Sequence, residues 1–141
     1  MDMYNLKCFL DAQADSYEHA LRELQAGQKH SHWMWFVFPQ FAGLGMSSTS
    51  QRYAIGSTAE ALEYLSHLVL GARLLECTRA INQLEGLSAR QIFGKPDDTK
   101  LCSSMTLFEI VAGPHPEFGI ALEKYFGGRR DSRTLDLVRR A

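Results

Sequence analysis

The chain is poor in the features that mark most specialised classes of protein. Its three cysteines, Cys8, Cys77 and Cys102, are far apart and form no CxxC pair, so neither a disulfide framework nor a zinc knuckle can be built from them. Reduced thiols and a cytosolic location are the expectation. Charge of one sign is also missing: 15 Lys and Arg against 16 Asp and Glu leave a formal charge of −1, and no overall field favours a polyanion. The longest apolar run, Trp33 to Pro39, falls far short of the ~20 residues of a membrane span. The opening residues show neither a basic region nor the apolar stretch of a secretory signal. Repeats, low-complexity tracts and Asn-Gly hairpin turns are absent. Membrane and nucleic acid are therefore not expected as partners, and no feature assigns an oligomeric state.

What is present is core material. With 141 residues, 45% of them apolar, the chain has enough to bury one hydrophobic core, and residues 1–141 read as a single globular domain. Helical spacing dominates. Leu6, Phe9, Leu10 and Gln13 share a face behind Asn5 as N-cap, and Tyr17, Leu21 and Leu24 continue over residues 16–26 to a left-handed stop at Gly27. Ser57 with Glu60 forms a capping box before Ala61, Leu62 and Leu65. Leu70, Leu74, Cys77, Ile81 and Leu84 make the cleanest stripe, predicting a helix of four turns that ends near Gly86. Ser88 and Gln91 form a second box, and Asp97-Asp98 is expected to cap a longer helix carrying Leu101, Met105, Phe108 and Ala112 on one face. Phe118, Leu122 and Phe126, then residues 132–140, complete the series. The fold class is all-α: a compact multihelical domain of seven or eight short helices with an aromatic loop near residues 28–56.

That loop breaks the pattern. Residues 28–40 place apolar side chains at consecutive positions, so both faces must be buried, and residues 41–50 are rich in Gly, Ser and Thr, as a loop with special backbone angles would be. Trp33 and Trp35 offer flat π faces for a base or a nicotinamide-like ring. They would share a side of an extended segment but diverge by about 200° on a helix. One is expected in the core against Leu70, Leu74 and Ile81, the other on a pocket wall. Lys100, Ser103 and Ser104 are expected in the first turns of the Asp97-Asp98 helix, where free amides favour anions. Lys29, Gln40, Ser47 and Tyr53 complete the candidate ligand set. His30 and His32 lack a third ligand at metal spacing, so no metal and no cofactor are expected. Arg129, Arg130, Arg133, Arg139 and Arg140 read as a solvated helix face, because Asp131 and Asp136 interrupt them.

The runs Ser31-His32-Trp33-Met34-Trp35-Phe36-Val37-Phe38-Pro39-Gln40, Ile92-Phe93-Gly94 and Lys100-Leu101-Cys102-Ser103-Ser104-Met105-Thr106-Leu107-Phe108 resemble a bacterial family of uncharacterised proteins often labelled calpastatin-like. The resemblance implies a small, mostly helical fold with no assigned chemistry. Two positions depart from the family's usual pattern: Leu68 follows His67 where Pro is common, and Cys102 stands where Arg is common. The residues themselves point to a small nucleotide or ADP-ribose-like ligand held between the His32–Gln40 loop and the start of the Lys100–Thr106 helix. For an enzyme, hydrolysis or glycosidic cleavage is the class to try, with His32 and Asp98 as acid and base. The alternative is a non-catalytic interaction module in which the aromatic run is only core.

Overall fold

A computed structural model describes residues 4–141 of the chain, and every structural statement below concerns them. Ten helices follow in order: α1 Lys7–Gln13, α2 Tyr17–Ala26, α3 Met34–Val37, α4 Ser48–Arg52, α5 Thr58–Ser66, α6 Leu70–Asn82, α7 Ala89–Phe93, α8 Asp97–Ile110, α9 Glu117–Phe126 and α10 Ser132–Arg140. The all-α, single-domain architecture holds. The count exceeds seven or eight because the aromatic segment contains two short helices, α3 and α4, and an isolated parallel bridge between Phe41 and Ile55 closes the segment around α4.

Local rules account for most boundaries. Gly27 ends α2 at φ 79°, and Gly127 ends α9 at φ 62°, both in the left-handed region that glycine reaches without strain. Ser88 and Gln91 make the full reciprocal box. In the Ser57 box the hydroxyl accepts from the Glu60 amide, while the Glu60 carboxylate accepts one residue earlier than expected, from the amide of Gly56. Three caps differ from expectation. α1 starts behind Leu6 with no side-chain cap, and Asn5 instead offers its carbonyl to the Cys8 thiol. α6 closes at Asn82, leaving Leu84 just outside. Pro96, not Asp97, occupies the N-cap of α8, so Asp97 and Asp98 stand inside its first turn.

α8 is the central element, packed against α5, α7, α9 and α10. It has no polar face because neighbours surround it: Ser103, Ser104, Met105, Thr106, Leu107 and Phe108 are all buried. Two of its hydroxyls are satisfied by reaching back one turn, Ser103 to the Thr99 carbonyl and Thr106 to the Cys102 carbonyl. An aromatic chain crosses the core through α8: Phe9 on α1 meets Tyr64 on α5 at 5.0 Å, Tyr64 meets Phe108 at 5.5 Å, and Phe108 meets Phe118 on α9 at 5.9 Å. Gln13, 1% exposed, ties four elements together. Its amide donates to the Phe36 carbonyl and to the Tyr64 hydroxyl, and its oxygen accepts from Arg73.

Gly71, at the start of α6, lets that helix lie directly against the end of α5. A Cβ there would lie 1.8 Å from the Leu65 carbonyl oxygen, a backbone atom that cannot turn away. Gly71→Ala is expected to force α5 from α6 and cost about 3 kcal/mol, lowering Tm by roughly 10 °C in thermal unfolding. A Tm within 2 °C or so of wild type would show that the two helices separate without loss.

Candidate functional site

The site is built on a single carboxylate. Glu23, on α2, accepts from the amides of His30 and Ser31, from the Ser31 hydroxyl and from the Trp33 indole, at 2.6–3.0 Å. The segment after α2 is thereby wrapped around one side chain. Partial burial pushes the Glu23 carboxyl up, but the Ser31 hydroxyl, the two amides and the indole outweigh it and bring it down to about 2. Trp33 is 1% exposed, with Phe38 and Phe93 as ring neighbours. Because Met34–Val37 is a helical turn and not an extended strand, Trp35 points elsewhere and remains half-buried.

Lys29 carries the chain of contacts onward. Its side chain is only 8% exposed, its ammonium lies 5.1 Å from the Trp33 ring centroid, and it donates to the Ser31 carbonyl at 2.6 Å. It pairs with Asp97 at 2.8 Å, and Asp97 also faces Lys100 at 3.5 Å. Lys100 in turn lies 4.8 Å from the Trp35 ring centroid. Two lysines thus share one carboxylate between two indoles, and the Lys100 charge, at 3.5 Å from Asp97, is the more loosely held of the two.

Two clefts open around this charge. One, about 340 Å³, has Gln40, Ser50, Lys100, Ser103, Asp131 and Arg133 on its walls. The other, about 370 Å³, has His32, Trp35, Ser48, Arg52 and Tyr53. α4 lies on both, with Ser50 facing the first and Ser48 and Arg52 the second. The Trp35 indole N–H is shut off from solvent and meets no acceptor, an orphan donor of the kind that a bound ligand or water satisfies.

Of the residues singled out in the sequence, Lys29, Trp33, Trp35 and Lys100 are joined through Asp97. Gln40 and Ser103 share the Lys100 cleft, and His32 and Tyr53 share the Trp35 cleft. The others stand apart. Ser47 is exposed and caps α4 by accepting from the Ser50 amide. Asp98 accepts from the Thr99 amide and lines neither cleft. Ser103 and Ser104 do not lie at the helix start. They are its seventh and eighth residues, beyond the free amides, and Ser104 is fully buried with its hydroxyl unpartnered. Ser103 bonds instead to Asp131, which caps α10 through the amide and hydroxyl of Thr134. Arg133 is exposed, as its place in the interrupted arginine run implies, and also borders the Lys100 cleft, whereas Asp97, expected as a cap, is the hub between the two lysines.

A compact multihelical domain with two small polar clefts is the class that this fold and site define. The chain belongs to a family of proteins of unknown function, DUF1810, whose model matches residues 3–138. It is similar to the crystal structure of the conserved hypothetical protein Rv1873 from Mycobacterium tuberculosis, with 51% identity, a TM-score of 0.96, and coverage of 98% of this chain and 99% of that one. No curated protein matches.

The Glu23 carboxyl sits below its ordinary value of 4.5, so its contribution to stability is complete above that pH and is lost as the pH falls through about 2. Glu23→Gln is expected to cost roughly 2 kcal/mol at neutral pH, allowing for solvent screening. In urea unfolding at stepped pH, the gap between variant and wild type should close as pH drops from 4.5 toward 2. A gap that stays constant would mean that the four donors do not depend on the charge.

Proposed function

We propose that the chain binds a small nucleotide-class ligand, ADP-ribose-like in carrying both phosphate and a flat ring. The observation that supports this is the position of Lys100, which forms a wall of one cleft while its ammonium rests on Trp35, a wall of the next. Phosphate fits the Lys100 cleft, where Arg133 adds a second cation and Ser50 a hydroxyl. Asp131 is the one carboxylate there, and its Oδ2 is already engaged by Ser103 and Thr134. A base or a similar ring fits the cleft formed by His32, Trp35 and Tyr53, where π surface is available.

The reading is one of binding. Of the two acid–base candidates, His32 lines a ligand cleft and Asp98 does not. The calpastatin-like label draws no support from this architecture, because a compact helical domain offers neither a disordered inhibitor nor an extended substrate-like loop.

Thermal unfolding with AMP, NAD and ADP-ribose tests the proposal. A ligand at 100 times its Kd should stabilise by about 2.7 kcal/mol, roughly 8 °C in Tm for a domain of this size. Lys100→Met should remove the shift while leaving the unliganded Tm within about 3 °C, since Lys29 still pairs with Asp97 at 2.8 Å and the longer Lys100 pair, at 3.5 Å, contributes about 1 kcal/mol. No shift with any of the three compounds, or an undiminished shift in the variant, would overturn the reading.

A further inference from the structure

A groove of about 640 Å³ runs between α2 and α6 and shares no lining residue with the two clefts. Gln25, Ala72, Arg73, Glu76, Gln83 and Leu84 line it, together with Ala80 and with Arg79, whose guanidinium is already taken by Glu117 at 2.8 Å. Arg73 and Glu76 are three residues apart on α6, the spacing at which opposite charges on a helix ordinarily meet. Here they do not pair. Tyr17 stands between them, with its ring 4.6 Å from the Arg73 guanidinium carbon and its hydroxyl donating to the Glu76 carboxylate. One Arg73 nitrogen donates to Gln13, which is itself fixed by the Phe36 carbonyl and the Tyr64 hydroxyl, so the guanidinium is held in orientation from the core side. Among the described residues no carboxylate pairs with Arg73, and the second oxygen of Glu76 has no donor.

The groove therefore displays a fixed cation and a fixed anion side by side, neither cancelled by the other. We infer that this groove is a second binding site, taking a small zwitterionic amino-carboxylate such as an aliphatic α-amino acid. The planar guanidinium fork matches a carboxylate in two-point contact, and the free Glu76 oxygen accepts from the neighbouring ammonium. Ala72 and Leu84 offer the apolar surface for a short aliphatic side chain, and the amides of Gln25 and Gln83 border it. A ligand with only one of the two charges meets one partner and is repelled by the other, so the groove selects for both charges together.

The test is a titration of the 15N-labelled protein with L-leucine, 4-methylpentanoate, which lacks the ammonium, and 3-methylbutylamine, which lacks the carboxylate. Leucine is expected to give saturable shifts of the Gln25, Arg73, Glu76 and Gln83 amides, with each analogue binding at least tenfold more weakly. Glu76→Gln keeps an oxygen for the Tyr17 hydroxyl and should bring leucine down to the level of 4-methylpentanoate. Arg73→Lys keeps the charge, loses the fork and should weaken leucine several-fold. Lys100→Met should leave the leucine titration unchanged, which separates this site from the nucleotide reading. Equal binding of leucine and either analogue, an unchanged affinity in Glu76→Gln, or no shift in the groove would each overturn the inference.

Discussion

One carboxylate with four donors holds the start of the irregular segment of this fold in place. A side chain that accepts two amides, a hydroxyl and an indole replaces the ladder that a helix or a sheet would supply, and segment 28–33 has no such ladder. From Glu23 the order passes outward in steps. The indole it grips buries Trp33 against Phe38 and Phe93, and that ring gives Lys29 a face to rest on. Lys29 meets Asp97, and Asp97 draws in Lys100 beside Trp35. Each contact is modest alone. Together they set two indoles and two ammonium groups around one acid at the point where the two clefts adjoin.

The opposite wall depends on α8. A helix enclosed by four others cannot be amphipathic, and two of its three buried hydroxyls find acceptors within the protein. Ser103 and Thr106 do so through the preceding turn and through Asp131, which also starts α10. This docks the last helix so that Arg133, one residue into it, faces the Lys100 cleft. The cleft is thus a by-product of polar satisfaction in the core, and its cations come from segments distant in sequence.

Sequence reading succeeded where one local rule decides the outcome. The stripe from Leu70 to Ile81 made α6, the left-handed Gly27 ended α2, and the Ser88–Gln91 box formed as written. It fell short where tertiary contacts choose between local options. The aromatic run has no period because a single helical turn, α3, is buried on nearly every side, so periodicity could not reveal it. Ser103 and Ser104 look like anion ligands beside the free amides of a helix start, but a helix that begins at Asp97 carries them beyond those amides. Arg133 was hidden among five arginines that look alike in sequence, and only the docking of α10 singles it out. No composition or spacing marked Asp97 as the hub, since its two partners lie 68 residues earlier and three later.

The central claim is that Glu23 fixes Trp33 as structure and so leaves Trp35 free to serve as ligand wall. The two indole N–H resonances of 15N-tryptophan-labelled protein test it without a substitution, because one indole donates to Glu23 and the other has no acceptor. Titration with ADP-ribose should move the Trp35 indole resonance saturably while the Trp33 indole stays in place. Movement of both resonances together, or of neither, would contradict the account.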